Sequence, residues 1–343
     1  MASSTSNSSH RLGAWVWIRT YLFGLLVAAL LIGGWEGYWR ARGLTPHVGN
    51  NFEIWAAKLD AGLRAGPDAI IFTGSSRIMA AIHFPTLRAE RPDRVLAQVG
   101  TSGGSPVTVL RYLAEETTWN GCVVVEVSPG ALFIPFAEAE QGSAEWMRRF
   151  TQRLREQSRI PEPAYEALEF EFELYLKENL VTFGGRTHPT SVLRSLVSGV
   201  PIEEPFYWLT RDRTEIIDYT DLDVESFRKS RVAQYSTEAM TKSEFAAMLV
   251  EPVHGWVREI EARGGRVVLL RLPAQGELLR LENERFPNPD YWNVLVERAG
   301  ALAIDGNASP VLSAFQMTDW EHIDREEAPR FTQRLLEILP PDC

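Results

Sequence analysis

The sequence predicts an α/β fold: a doubly wound parallel sheet preceded by one N-terminal apolar helix. Three observations carry this. Short apolar runs recur along the chain, with helical spacing between them. The runs are continuous rather than alternating, as expected for strands buried on both faces of a parallel sheet. Ahead of them, residues 14–35 form one apolar stretch of bilayer-crossing length, interrupted only by Arg19.

The elements follow in order. Residues 1–13 are a polar, Ser-rich tail of disorder-prone composition. Residues 14–39 form the expected anchor. Trp15, Trp17 and Tyr21 flank one end and Trp35, Tyr38 and Trp39 the other, which suits two membrane interfaces. A cleaved signal peptide or a buried core helix would share this length. Cleavage needs an Ala-x-Ala-like site, and the run ends in Gly33-Gly34-Trp35-Glu36, so an uncleaved single-pass anchor in the cell membrane is expected. Flanking charge is nearly balanced, with Arg11 and Arg19 against Arg40 and Arg42. A short tail, one span and a large domain is the layout of a signal anchor. The globular part is therefore expected outside the cytoplasm, on the periplasmic or outer face.

Residues 40–67 connect the anchor to the domain. They include a short helix with Phe52, Trp55, Leu59 and Leu63 on one face, ended by Gly66-Pro67. From residue 68 to 343, strands and helices alternate. Strands are expected at 69–73, 94–99, 122–127, 266–270 and 301–305, and helices at 107–116, 245–263 and 290–299. This pattern makes a flavodoxin-like five-stranded sheet. Residues 131–245, between the third and fourth strands, read as a helical insertion rich in charge. It leaves the carboxyl end of the third strand, where such sheets bind ligands, so it is expected to serve as a lid or as a surface for a membrane protein partner. Phe133, Phe136, Tyr207, Trp208 and Arg211 are its candidates for contacting an acceptor.

Composition excludes some functions. The formal net charge is -10 and no Lys/Arg stripe appears, which argues against nucleic acid. The six histidines are scattered, and neither CxxC nor HExxH occurs, so neither a metal nor a cofactor is expected. Two cysteines make no disulfide framework; Cys122, in an apolar strand, reads as a small buried hydrophobe.

Two motifs carry chemistry. Gly74-Ser75-Ser76-Arg77 follows the first strand, so Ser76 would open the next helix on a sharp turn. There a hydroxyl gains from the free N–H groups and the positive helix end. Asp319-Trp320-Glu321-His322 precedes the last helix, and its spacing lets the carboxylate reach one ring nitrogen while the other faces a serine. Between them, Val99-Gly100-Thr101-Ser102-Gly103-Gly104 follows the second strand and can turn N–H groups toward a substrate oxygen. Each motif alone also reads blandly, as a turn with an N-cap, a capped loop, or an ordinary strand-helix loop.

Together and in this order they resemble the SGNH (GDSL-like) hydrolase superfamily. Gly74-Ser75-Ser76 resembles its first block, with Ser in place of the usual Asp. Gly103 resembles the second-block glycine, and Asp319-Trp-Glu-His322 the Asp-x-x-His block. The GSSR variant, the anchor and the insertion are similar to membrane-anchored bacterial members of the DltD-like and alginate-acetylation types, which act in acyl transfer to cell-envelope polymers. The resemblance implies Ser76 as nucleophile, His322 as base and Asp319 as its orienter, with Gly103 and Gly104 near the oxyanion. The family's third block supplies an asparagine to the oxyanion hole, whereas this chain reads Val125-Glu126-Val127-Ser128 there, leaving Ser128 as a substitute donor. The expected activity is a serine esterase or O-acyltransferase acting on an acylated envelope glycan or small ester. The rival expectation is a non-catalytic, membrane-tethered interaction or assembly protein that keeps the scaffold.

Overall fold

The computed structural model describes residues 14–134, 141–157, 164–203, 205–234 and 239–343. The polar tail at 1–13 and Phe136 lie outside the described residues. The chain forms two compact units. One holds the chain up to His47 with the 171–204 segment, and the other holds the remainder.

In the larger unit the strands are β1 (Ala69–Thr73), β2 (Val95–Gln98), β3 (Cys122–Glu126), β4 (Tyr207–Leu209), β5 (Glu215–Ile217), β6 (Arg266–Arg271) and β7 (Leu302–Asp305). Five of them form one sheet in the order β2-β1-β3-β6-β7. Every pairing is parallel. This is the expected flavodoxin-like winding, whose direction reverses between β1 and β3 and opens a crevice at their carboxyl ends.

The apolar runs explain the layers. Every residue of β1 and β3 is buried. Ile71, Val123, Val125, Val267 and Leu269 face one layer, with Trp55, Leu59, Leu113 and Val257. Ile70, Phe72, Val124, Val268 and Leu270 face the other, with Ile78, Phe84, Leu312 and Phe331. Each such side chain contributes about 1.5–3 kcal/mol by leaving water. Trp55 keeps its indole satisfied by donating to the Val99 carbonyl at 2.7 Å.

Three sequence expectations are corrected. Cys122 and Cys343 are joined in a disulfide. The chain after the Ala328–Leu336 helix returns beneath the second layer, where Leu339 and Cys343 join Cys122, and a separation of 221 residues hid this proximity. Phe133 does not face an acceptor. It is 1% exposed and packs on Phe245, Phe286 and Tyr291. The helix expected at 245–263 starts at Lys242 and contains a π-helical turn, Ala246–Val250, just before Pro252. A proline there lacks the N–H for the regular ladder and crowds the preceding turn, which the wider turn accommodates. The β4–β5 hairpin was not expected at all.

In the smaller unit the Ala14–Arg40 helix is long and apolar enough to cross a membrane.

Candidate active site

Ser75 caps the Ser76–Ala81 helix, its Oγ accepting from the Arg77 N–H at 3.2 Å. Ser76 is therefore the first helical residue, and its N–H meets no acceptor among the described residues. The turn is clamped from β3. Glu126 accepts from the Ser75 N–H at 2.5 Å and from the Ser75 hydroxyl at 3.1 Å. Burial pushes the Glu126 carboxyl above the usual range, opposed by Arg77 and the Ser75 bonds. Gly74 is required here, since a Cβ would fall 2.5 Å from the Glu126 Cβ.

His322 sits opposite. His322 Nε2 is 2.8 Å from Ser76 Oγ, and His322 Nδ1 is 2.7 Å from Asp319 Oδ2. With the carboxylate accepting, Nδ1 carries the proton and the Nε2 lone pair faces the serine. Asp319 Oδ1 also accepts from the N–H groups of Glu321 at 3.0 Å and His322 at 2.8 Å. Burial alone would raise the Asp319 pKa, but His322 and these N–H groups hold it well below the usual carboxylate range. Burial alone would lower the His322 pKa, but Asp319 prevails and raises it.

This turn needs an unusual backbone. Trp320 has φ 73°, a left-handed conformation that costs a non-glycine residue about 1–2 kcal/mol. The surroundings hold it there. The Trp320 carbonyl accepts from the Gln275 N–H at 3.0 Å. Its ring covers Gly276, where a Cβ would come within 2.5 Å of it, and the Arg228 guanidinium lies 4.8 Å from the ring centre.

The second loop lies against the first, with the Thr101 N–H donating to the Gly74 carbonyl at 2.9 Å. Gly103 takes φ 67°, and its N–H meets no acceptor among the described residues. Gly104 is different. Its N–H donates to the Thr101 carbonyl at 2.8 Å, so it is committed to the turn and withdrawn as an oxyanion donor. The Ser128 hydroxyl accepts from Arg77 Nη1 at 3.3 Å.

Several positioning residues escaped the sequence reading. Arg77 and Glu282 form an ion pair at 3.0 Å with both side chains almost wholly buried, and Arg271 joins at 3.5 Å. The Arg77 guanidinium also donates to the carbonyls of Leu272 and Pro273. Arg213, in the β4–β5 turn, donates to the Gly100 carbonyl at 2.7 Å, and burial lowers its pKa to about 9. Glu215 accepts from the Ser102 hydroxyl at 2.9 Å. Burial raises the Glu215 pKa against the pull of His322. The Tyr219 hydroxyl lies beside Asp319, and burial together with that carboxylate suppresses its acidity. Arg231 pairs with Glu321 at 3.3 Å. The second half of the insertion thus reaches the site through Arg213, Glu215, Tyr219, Arg228 and Arg231. Of the acceptor-contact candidates in that segment, Tyr207 is 46% exposed. The available signal was charge within an apolar run, as with Glu126 and Arg271.

Asp319, Glu321 and His322 also place ligand atoms close enough for a metal. The hydrogen bonds of His322 and Asp319 to Ser76, to each other and to backbone N–H groups, with the ion pair of Glu321 to Arg231, already engage that cluster.

No protein-family model matches the chain. No curated protein matches it either. Among solved structures, that of TesA is similar at 9% identity, over 80% of this chain and 99% of that one, with a TM-score of 0.36.

Proposed function

We propose that the protein is an SGNH-type serine esterase or O-acyltransferase, held in the membrane by its N-terminal helix. The observation that carries this reading is the hydrogen-bonded series Ser76–His322–Asp319, with both ring nitrogens at bonding distance. Ser76 Oγ attacks an acyl carbonyl while His322 Nε2 takes its proton. The free N–H groups of Ser76 and Gly103 stabilise the oxyanion. His322 then returns the proton to the leaving alkoxide, giving an acyl-serine. Water or a sugar hydroxyl, deprotonated by His322, releases the acyl group and regenerates Ser76. Asp319 fixes the tautomer and balances the imidazolium charge. We assign an acylated cell-envelope glycan or a similar ester as substrate. The Cys122–Cys343 disulfide supports placing the domain outside the cytoplasm, since such bonds persist in oxidising compartments.

A second reading is a membrane-tethered interaction or assembly protein without activity. Closure of the site favours it: Ser76 is 9% exposed and His322 and Asp319 are 0% exposed. Labelling with a serine-reactive fluorophosphonate separates the two. Catalysis requires labelling of the wild type and its loss in Ser76→Ala. Equal labelling of both proteins, or none of either, rejects Ser76 as a nucleophile.

A further inference from the structure

The Pro189–Ser198 helix wears its apolar stripe on the outside. Leu193, Leu196 and Val197 recur at i, i+3 and i+4, the spacing of one helix face, and Val200 follows just past the Gly199 cap. All four are exposed, by 62, 76, 83 and 64% respectively. The other side is partly covered at Ser191, Val192 and Ser195. Val192, and Ile202 beyond the helix, pack with Trp35, Trp39, Leu44 and Val181. A helix whose covered side is already satisfied, and whose apolar side is bare, has a second partner.

The same unit says what that partner is. Residues 15–34 of the Ala14–Arg40 helix are exposed throughout, and packing begins at Trp35. Twenty residues at about 1.5 Å each match the roughly 30 Å thickness of a bilayer core. Immediately past that point the helix is bound to the segment that leads into Pro189. Trp35 Nε1 donates to the Thr187 carbonyl at 3.2 Å. Glu36 accepts from the N–H groups of Val181 at 3.0 Å and Thr182 at 2.9 Å, and from the Thr182 hydroxyl at 2.7 Å. Arg40 donates to the Asn179 carbonyl at 2.8 Å. These bonds tie the segment that leads into Pro189 to the first helix just where its exposed apolar run ends.

We propose that the Pro189–Ser198 helix lies in the membrane interface, with Leu193, Leu196, Val197 and Val200 inserted among the lipids. Such a helix contributes buried apolar area without spanning, and it fixes how the emerging chain is tilted at the surface. Arg194, on the flank of the stripe, is placed to face headgroups. The proposal rests on the anchor reading of the first helix.

The test uses the full-length protein in phosphatidylcholine nanodiscs. An environment-sensitive fluorophore is attached to a cysteine introduced at Val197 in one variant, Ser198 in a second and Leu26 in a third. The Val197→Cys probe is expected to emit to the blue of the Ser198→Cys probe, to be quenched by lipids carrying a shallow nitroxide, and to resist aqueous iodide. A Val197 probe as open to iodide as the Ser198 probe overturns the proposal. Shielding that ignores the lipid nitroxide but requires two protein copies per disc also overturns it, in favour of self-association. The Leu26→Cys probe separates the two readings. If it escapes deep nitroxide lipids, the anchor itself is wrong; if it is quenched while Val197 is not, only the interfacial helix fails.

Discussion

The Ser76 hydroxyl and Nε2 of His322 stand 2.8 Å apart, although 246 residues separate them in sequence. Neither group is positioned by its neighbours alone. The serine end is pinned by Glu126 from β3, and the histidine end by Asp319 on a left-handed turn packed against Gly276. The geometry is thus a property of loops held together at the carboxyl ends of the strands, and its consequences can be measured.

Replacing Ser76 by Ala is expected to lower turnover of a small chromogenic ester by about 10⁴-fold or more. The fold should be unaffected, since only a hydroxyl at the helix start is lost. Combining it with His322→Ala should add little, because groups that act as one unit lose their effect together. Additive losses would show that the two residues do not share a step.

The pH dependence follows from the His322–Asp319 pair. His322 must be neutral to accept a proton, so kcat/KM should rise with pH through a midpoint above the ordinary imidazole value. In Asp319→Asn the raising charge is gone and burial remains, so the midpoint should move down while the maximum falls by about 10⁴-fold. Folding stability runs the opposite way. A raised folded pKa stabilises fully below the unfolded value, and that contribution fades as pH climbs through the folded one. Asp319, held low, stays ionised across that window. The charged pair therefore supports the fold most where the site is inactive. An unshifted midpoint in Asp319→Asn would remove the carboxylate from this role.

Glu282 is 0% exposed and faces both Arg77 and Arg271. Glu282→Ala leaves two buried guanidinium groups without that carboxylate and should cost about 3–5 kcal/mol in chemical denaturation. Activity should fall as well, because Arg77 directly follows Ser76. A loss below about 1 kcal/mol would mean that the cluster is wetter than its burial implies.

The Cys122–Cys343 bond closes a separation of 221 residues. Reduction, or Cys343→Ser, is expected to destabilise the protein by about 2–4 kcal/mol. Melting with and without reductant measures it. Coincident melting curves would show that the bond does not form.

Much of this site was written locally. The strand runs at 69–73 and 122–126 announce themselves because burial on both faces demands continuous apolar residues. Gly74-Ser75-Ser76 and Asp319-Trp-Glu-His322 are legible because a tight turn and a three-residue carboxylate–imidazole reach each fit within one motif. Gly103 and Gly104 could not be told apart in this way, as only the chain's path shows which N–H closes the turn on Thr101. The β4–β5 hairpin was silent for a related reason. Its strands have three residues each, and its turn is held from outside, where Asp212 meets Lys58 at 3.1 Å and Arg88 at 2.9 Å.

The sequence by itself determined the five strands of the parallel sheet, the apolar N-terminal helix, and the two local motifs that hold Ser76 and the Asp319–His322 pair. These follow from periodicity and turn chemistry, forces that act across a few residues. The tertiary structure alone decided that Glu126 grips Ser75 across 51 residues, that Glu282 meets Arg77 across 205, and that Cys343 reaches Cys122 across 221. Such partners are chosen by how layers pack and where chain ends return. A buried charge or thiol records that it needs a partner, while only the assembled core says which one it has.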